Sequence, residues 1–240
     1  MSIVPDNQPS KNREMNFMSS IRGVLTGIAM FPDKLDNLVP LSPELVKPAS
    51  ITCARAFADD ETTRFLIPDA TKRDKLRFSF EYYLNLTLIS GRGTYVTSPK
   101  CEGVAMWFES EKKESFFDHL RAGFPLLPLH AGWGFLLRES QLDLHFSRLR
   151  RELAPKRHMY LGVLAVEPAY QGQGFASKLV RPMIKRLDEE KMPAYLETQN
   201  ARNMEMYRGW GFELIKEETM PNSSLKLFLM LRKSQEPTLI

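Results

Sequence analysis

A glycine-rich turn lies between an apolar run and a long helical pattern, an arrangement suited to binding phosphate. The apolar run covers residues 160–166, the turn covers 171–174, and the helical pattern extends from 175 to 190. Glycine lets the backbone adopt unusual φ angles and approach a ligand closely. Unpaired N–H groups at the start of a helix point at a bound anion. The segment therefore predicts a site for a phosphorylated ligand.

Two other interpretations of this turn stay open when it is considered alone. The series Gly172, Gly174 and Ser177, with Glu197 further on, is close to the fingerprint of dinucleotide-binding proteins. That fingerprint normally opens a long βαβ domain, whereas only 64 residues follow Ala176. The turn could also merely connect a strand to a helix, because short motifs often occur by chance.

A second group of polar residues follows the short apolar segment 194–196. Asn200 can cap a helix there, because its side chain can accept a backbone N–H from the first turn. Asn203 and Tyr207 then lie four residues apart, on one face of the predicted helix. A pair of glycines after Tyr207 ends this helix. The pattern therefore places an amide and a phenol side by side, downstream of the glycine-rich turn.

Together the two segments resemble the GNAT superfamily of N-acetyltransferases. The Gln-x-x-Gly-x-Ala spacing of Gln171, Gly174 and Ala176, just after Val-x-Pro, resembles the loop that binds the pyrophosphate of acyl-CoA. The Asn-x-x-x-Tyr-x-x-x-Gly-Phe pattern after Leu-Glu-Thr resembles the helix that follows that loop. The resemblance is greatest to the puromycin N-acetyltransferase-like branch. It covers residues 160–212 and extends less closely over 54–107.

The resemblance implies an α/β fold, in which a mixed central sheet has helices on both faces and its splayed central strands bind acyl-CoA. It also implies which residues hold acetyl-CoA, the co-substrate: the end of one central strand, the glycine-rich loop and one helix residue. These are Leu164, Ala165, Val166, Gln171, Gly172, Gln173, Gly174, Phe175, Ala176 and Asn203.

The same resemblance implies direct transfer of the acetyl group to a primary amine. The N–H of Val166 would face the thioester oxygen. Tyr207 would be the general acid for the departing sulfur, because a phenol is protonated at neutral pH. Some relatives carry a glutamate base at the position of Tyr160, so that role does not carry over. Glu197 is the preferred general base here, and Glu167 is the second candidate.

Asp59, Asp60, Trp107 and Tyr160 are assigned to the acceptor site, with the two aspartates binding an ammonium group. The aromatic-rich segment 115–149 is expected to roof the splayed strands, which favours a small-molecule amine over a protein lysine. A non-catalytic acyl-CoA-binding or sensor module is the alternative function. Release of thiol from acetyl-CoA separates the two.

Composition excludes several other classes of protein. The 240 residues are 43% hydrophobic, enough to bury a full core, and no apolar run approaches the ~20 residues of a membrane span. The net charge of +4 is spread along the chain, unlike a nucleic-acid-binding patch. Two cysteines and four scattered histidines show no metal-ligand spacing, and so few cysteines are typical of a cytoplasmic protein. The oligomeric state stays open, with a homodimer as one option.

The elements that position these residues follow from the hydrophobic periodicity. We predict an N-terminal extension over 1–35 with a helix within 15–31, an acetyltransferase domain over 36–233 and a tail over 234–240. Predicted helices cover 42–57, with Ser42 as the cap, then 71–89, two or three pieces of 115–155, 175–190 and a short segment after Asn200. Predicted strands cover 36–41, 93–97, 103–108, 159–166, 194–196, 212–220 and 225–231.

Overall fold

A seven-stranded sheet organises residues 35–235, the part of the chain that the computed structural model describes. Its order is β1-β2-β3-β4-β5-β7-β6, and only the β4–β5 pair is parallel. The strands are β1 (Val39–Pro40), β2 (Gly93–Val96), β3 (Gly103–Glu109), β4 (Met159–Val166), β5 (Ala194–Thr198), β6 (Glu213–Thr219) and β7 (Lys226–Arg232). The predicted helix within 15–31 and most of the predicted tail lie outside the described residues.

The helices pack around this sheet. They are α1 (Val46–Ala56), α2 (Glu61–Leu66), α3 (Leu76–Ser90), α4 (Phe116–Ala122), α5 (Leu127–Ala131), α6 (Trp133–Leu153), α7 (Phe175–Glu189) and α8 (Ala201–Arg208). The segment predicted to form two or three helices between β3 and β4 thus forms α4, α5 and α6. Glycines in left-handed or otherwise unusual conformation separate these three helices, at Gly123 (φ 103°) and Gly132 (φ 89°).

Alternation along β3 shows that helices cover both faces of the sheet. Val104 belongs to a buried cluster with Ala49 of α1 and Leu84 of α3. The preceding residue, Gly103, points the other way, and a Cβ built on it would lie 2.8 Å from Leu179 of α7. Because successive strand residues face opposite sides, α7 covers the face opposite α1 and α3. The predicted mixed α/β fold with helices on both faces is confirmed.

The long helix α6 covers the other end of the face shared with α1. Its Phe135, Leu142 and Leu149 are buried in one cluster with Tyr195 of β5 and Leu229 of β7. These three residues recur at helical spacing, so one stripe of α6 lies against β5 and β7. The helix therefore roofs the strand that carries the predicted base, Glu197.

Two local predictions at the start of the domain hold only in part. The strand expected over 36–41 is shorter than predicted: β1 covers Val39 and Pro40, the Leu41 N–H donates to the Thr94 carbonyl of β2 at 2.9 Å, and Asn37 turns the chain before it with φ 58°. Ser42 was expected to cap the next helix, but its hydroxyl donates to Glu44 Oε2 at 2.5 Å. A single turn of 3₁₀ helix over Pro43–Leu45 then leads into α1.

Candidate active site

The central strands β4 and β5 part after two residue pairs. They pair at Met159 with Ala194 and at Tyr160 with Tyr195, and no further. Beyond that point β4 stays paired with β3 as far as Val166, and β5 stays paired with β7 as far as Thr198. A wedge-shaped gap therefore opens between the C-terminal halves of the two strands, as the resemblance implied.

A bulge in β4 lies where the gap begins. The β3–β4 register shifts between Met106 and Trp107, so that β4 holds one extra residue at Gly162. A Cβ at Gly162 would lie 2.7 Å from the ring of Phe108, so only glycine fits without displacing that ring. Because a bulge bends and twists its strand, this glycine helps to turn β4 away from β5.

Every second residue of β4 directs its backbone N–H and C=O groups into the gap, and the residues between them direct theirs at β3. The N–H of Glu167 donates to the Glu102 carbonyl at 2.9 Å, towards β3. Because alternate strand residues direct their backbone groups to opposite sides, the N–H groups of Val166 and Leu164 face the gap. Ala165 directs its backbone at β3 and its side chain into the core beside α1. Of the three β4 residues predicted to bind the donor, Leu164 and Val166 have suitably placed backbone groups.

The glycine-rich loop forms an open cradle at the start of α7. Gly172 and Gly174 have φ of 74° and 84°, and a Cβ added to either would meet nothing within 4 Å. Gly174 is the N-cap of α7, so the N–H groups of the first turn have no partner within the helix. These glycines are required by backbone conformation, and the space in front of them is free for an anion.

Two glutamines and an aromatic pair fix the shape of this loop. Gln171 Nε2 donates to the Val166 carbonyl at 3.1 Å, and Gln173 Nε2 donates to the Ala169 carbonyl at 3.0 Å. The ring of Phe175 lies 5.5 Å from that of Tyr170. The glutamine side chains therefore support the loop from behind, which leaves the backbone N–H groups to face a ligand.

Helix α8, which follows β5 in the chain, carries Asn203 and Tyr207. The side chain of Asn200 accepts from the N–H of Arg202 at 2.9 Å, which confirms the predicted cap. Tyr207 is 7% exposed and makes edge-to-face contacts with Trp210 and Phe212 at 5.7 and 6.0 Å. Burial raises the pKa of Tyr207 above its ordinary value, and the charge of Asp60 raises it further. The phenol is therefore protonated at neutral pH, as a proton donor must be. Asn203, one turn earlier, is half-buried.

Glu197 lies on β5 just beyond the last pair with β4. Its side chain is only 2% exposed, and Arg150 Nε of α6 lies 3.5 Å from its Oε1. The Arg150 guanidinium also covers the ring of Tyr160 at 3.7 Å from the centroid. Burial raises the pKa of Glu197 above its ordinary value, although Arg150 and the hydroxyls of Tyr160 and Tyr195 act in the opposite direction. A carboxylate made more basic by burial fits a general base.

The two aspartates assigned to the acceptor site have other partners. Asp59 is 85% exposed and pairs with Arg73 at 3.2 Å. Asp60 caps α2 by accepting from the N–H of Thr62 at 2.9 Å. Its charge acts on Tyr207, whereas the contacts of Glu197 are with Arg150 and two tyrosines. Asp60 is therefore near the predicted acid, Tyr207, and neither aspartate is among the contacts of the predicted base.

The remaining candidates lie in different surroundings. Trp107 is fully buried in β3, and its Nε1 has no hydrogen-bond partner among residues 35–235. Glu167, the second candidate base, pairs with Arg55 at 3.4 Å. It lines a surface pocket of about 410 Å³ next to Tyr170. Tyr160 is the only one of these candidates whose ring contacts the Arg150 guanidinium.

Sequence reasoning missed Arg150 and Tyr195, which surround Glu197. The available signal was the spacing of Glu139, Asp143 and Arg150, which places three charges on one face of α6 next to its apolar stripe. Charged residues beside a buried stripe are usually solvated, and for that reason the pattern is weak on its own. Only the packing of α6 over β5 brings Arg150 to Glu197.

Comparison with known proteins agrees with this geometry. Residues 133–212 match the acetyltransferase (GNAT) family. An uncharacterized N-acetyltransferase of Schizosaccharomyces pombe is 25% identical over 79% of this chain and 80% of its own length. The family domain and such relatives confirm the predicted enzyme class, an acetyl-CoA-dependent N-acetyltransferase.

Solved structures show the same fold. A histone acetyltransferase HPA2 and related acetyltransferase from Corynebacterium glutamicum superposes with a TM-score of 0.59 at 20% identity, over 85% of this chain and 98% of its own. The C-terminal condensation domain of Ebony, solved with beta-alanyl-dopamine, has a TM-score of 0.58 at 8% identity, over 82% and 97%. Within residues 35–235 no helix has the length and apolar character to cross a membrane, and no three ligand-type side chains group around a metal position.

Proposed function

We propose that the protein transfers an acetyl group from acetyl-CoA to the primary amine of a small molecule by direct attack. The proposal rests on the gap between β4 and β5, because the two strands present different chemical groups to it. An open cradle of N–H groups lies at the end of β4, and a buried carboxylate of raised pKa lies on β5. The β4 side therefore offers a place for an anionic donor, and the β5 side offers a place where an ammonium group can lose its proton.

On the donor side, backbone groups do most of the binding. The N–H groups of the first turn of α7 hold the pyrophosphate in front of Gly172 and Gly174. The backbone groups of Leu164 pair with the pantetheine arm along the gap, and Asn203 contacts the same arm. The N–H of Val166 donates to the thioester oxygen as it gains negative charge. Loss of one such donor typically costs about 10²–10³ in rate.

On the acceptor side, Glu197 removes a proton from the bound ammonium group. The freed amine nitrogen attacks the thioester carbon, a C–N bond forms, and the C–S bond breaks. Tyr207 donates its phenolic proton to the departing sulfur. The nitrogen gives up its second proton as the amide forms, and this proton returns the Tyr207 phenolate to the phenol, while the proton on Glu197 passes to bulk water. Glu197 is suited to its step because burial makes it more basic. Tyr207 carries its proton at neutral pH, as any phenol of ordinary pKa does.

An enclosed base favours a small acceptor. The Glu197 side chain is almost wholly covered, with Arg150 of α6 above it. A folded protein surface cannot enter such a space, whereas a compact amine can. The resemblance to the puromycin-type branch points in the same direction. We compare acetylation of small primary amines with that of lysine-containing peptides, and we expect turnover of small amines. Efficient peptide acetylation without turnover of any small amine would contradict this assignment.

The domain limits and the location also belong to this proposal. We place the catalytic domain at 36–233, between an N-terminal extension over 1–35 and a tail over 234–240. We propose a cytoplasmic location because Cys53 and Cys101 are both free and buried.

Donor binding is tested by thermal unfolding with acetyl-CoA, CoA and NAD. At 100 times its Kd a ligand stabilises the folded state by about 2.7 kcal/mol. For a chain of this size that corresponds to a rise in Tm of roughly 5–10 °C. We expect this rise with acetyl-CoA and CoA and none with NAD. Gly174→Asp should abolish it, because the new carboxylate faces the pyrophosphate.

Gly123→Asp is the matched control. Gly123 is also left-handed, with φ 103° and open space around its Cβ position, so both variants carry similar backbone strain. A folded Gly174→Asp protein that binds CoA as tightly as wild type would overturn the loop assignment. Binding of acetyl-CoA without thiol release in the presence of any amine would favour the alternative, a non-catalytic sensor.

A further inference from the structure

The segment 116–144 carries most of the large apolar side chains that are exposed within residues 35–235. Nine of them lie in this segment and are 39–79% exposed, whereas the rest of residues 35–235 has only three others. The helices of the segment are neighbours, because α4, α5 and α6 share one buried cluster on α3 through Ala122, Leu127 and Leu136. The exposed apolar side chains therefore belong to one outer layer of the protein.

The exposed aromatic area of this layer is large for the surface of a monomer. Phe116, Phe117, Phe124 and Trp133 are 45–72% exposed. An aromatic side chain covers about 150–250 Å², so these four leave roughly 400–600 Å² open. The largest apolar patch of a typical monomer is about 300–600 Å², and each partner of a standard interface buries about 800 Å², of which about 65% is apolar in homodimers. With its leucines in addition, the segment has the apolar area that a protein interface needs.

Helix α6 has a second apolar stripe, opposite the one that covers the sheet. Trp133, Leu137 and Leu144 are 72%, 63% and 70% exposed. They are four and seven residues apart, so they share one face of the helix. The buried stripe, at 135, 142 and 149, is offset from them by about half a helical turn. Helix α6 is therefore apolar on two opposite faces, and residues 35–235 cover only one of them.

The second stripe continues along α6 with the spacing of a coiled coil. Its positions are alternately four and three residues apart, the 3.5-residue repeat of a helix–helix contact. We call it the α6 seam, and it consists of Trp133, Leu137, Ser140, Leu144, Ser147 and Arg151. The Ser140 hydroxyl donates to the Leu137 carbonyl at 2.9 Å, so a partner can cover it without leaving a buried donor unsatisfied.

We propose that the α6 seam binds the same seam of a second copy of the chain, with the two helices antiparallel. Large and small side chains alternate from Leu137 to Ser147. When the two-fold axis passes midway between Ser140 and Leu144, Leu144 of each copy lies against Ser140 of the other, and Leu137 lies against Ser147. Each layer then pairs a large side chain with a small one, so the seam is complementary to itself.

The ends of the seam favour the antiparallel direction. The same axis places Trp133 of one copy beside Arg151 of the other, where a guanidinium and an indole ring attract each other. A parallel pair would instead place Arg151 against Arg151, with like charges in contact. Arg151 Nε donates to the Ser147 carbonyl at 3.1 Å, which holds this side chain along the helix. The inference concerns association alone and does not depend on the proposed reaction.

Sedimentation velocity of the full-length protein over a dilution series tests the inference. We expect a reversible dimer. Leu144→Glu should raise its dissociation constant at least about 30-fold, because two unpaired carboxylates would be buried at the centre of the contact. Ile89→Glu is the matched control, since it places the same charge on an exposed aliphatic side chain outside the segment, and it should leave the dissociation constant unchanged.

Disulfide cross-linking tests the direction of the helices. Leu137→Cys protein mixed with Ser147→Cys protein should form a cross-linked dimer under oxidation, because the antiparallel pair brings these two positions together. Neither variant should cross-link alone, since equivalent positions are then ten helical residues, roughly 15 Å, apart along the axis and a disulfide needs Cα atoms within about 7 Å. The native Cys53 and Cys101 are buried.

Several outcomes would overturn the inference and leave the acetyltransferase proposal intact. They include a wild-type protein that stays monomeric at every dilution, and a dimer that Leu144→Glu and Ile89→Glu weaken equally. A monomer that Leu144→Glu destabilises to heat would place another part of the same chain on the seam. A monomer that binds phosphatidylcholine vesicles, and loses them in Leu144→Glu, would assign the seam to a lipid surface. Cross-linking of Leu137→Cys protein alone would contradict the antiparallel arrangement.

Discussion

Glu197→Gln separates the catalytic from the structural role of the buried carboxylate. The substitution keeps the size and shape of the side chain but removes its basicity. If Glu197 takes the proton from the acceptor, kcat/KM should fall about 10²–10⁴-fold, the usual contribution of a general base. The Kd for acetyl-CoA should be unchanged, because the carboxylate lies on β5, away from the cradle at the start of α7.

The same change also affects stability, and the structure sets the size of that effect. Removal of one partner from a buried ion pair typically costs about 3–5 kcal/mol, because the other charge is left without compensation. Arg150 keeps its contact with the Tyr160 ring at 3.7 Å in both proteins, so that contact does not enter the difference. We therefore expect Glu197→Gln to lower the free energy of unfolding by at most about 3–5 kcal/mol, measured by urea denaturation.

A double variant keeps the two effects apart. Glu197→Gln with Arg150→Met removes both charges, so stability should recover while activity stays low. The assay is thiol release from acetyl-CoA with a primary amine, recorded against pH. Wild-type activity should rise as pH increases through the raised pKa of Glu197, and this rise should be absent in both variants. A double variant with wild-type kcat would refute the assignment of Glu197 as the base.

Two further substitutions test other parts of the site. Tyr207→Phe should lower kcat about 10- to 10³-fold with little change in KM for acetyl-CoA, because the ring contacts with Trp210 and Phe212 are kept and only the proton donor is lost. A variant with wild-type kcat would show that Tyr207 has a packing role only. Asp188→Asn should destabilise the protein by about 3–5 kcal/mol, because Arg232 is 2% exposed and would lose its bidentate partner. Burial acts to raise the pKa of Asp188, but the hydrogen bonds from Arg232 lower it overall. The stabilisation from the Asp188–Arg232 pair is therefore present above the unfolded pKa of about 3.9, and it is lost as pH falls through the lower folded pKa. Acid denaturation that is the same in wild type and Asp188→Asn would contradict this linkage.

Features encoded by neighbouring residues were predictable from sequence. The glycine-rich loop, the cap at Asn200 and the position of Tyr207 one turn after Asn203 depend on contacts a few residues apart. The Ser42 cap failed for a local reason as well, because Glu44 offered its hydroxyl a competing acceptor. Local rules therefore located the proposed donor side of the site, where backbone N–H groups face open space.

The acceptor side depends on contacts that are distant in sequence. Arg150 and Glu197 are 47 residues apart, and they meet only because α6 packs over β5. The bulge at Gly162 had a signal, since an isolated glycine within a strand indicates a bulge or a close approach. Its consequence, the parting of β4 from β5, also requires the register of β3. Such features arise from tertiary packing, which no local pattern specifies.

Two of the acid–arginine pairs within residues 35–235 differ in a way that bears on the proposed role of Glu197. Asp188 and Arg232 form two parallel hydrogen bonds of 2.7 Å, and the pKa of Asp188 is lowered. Arg150 instead stacks on Tyr160 and approaches Glu197 at 3.5 Å, so burial prevails and the pKa of Glu197 is raised. A tightly held carboxylate is a poor base, because its arginine stabilises the charged form. The Arg150 guanidinium lies over the Tyr160 ring and makes no bidentate contact with Glu197, so burial outweighs the lowering of the Glu197 pKa by Arg150 and by the tyrosine hydroxyls.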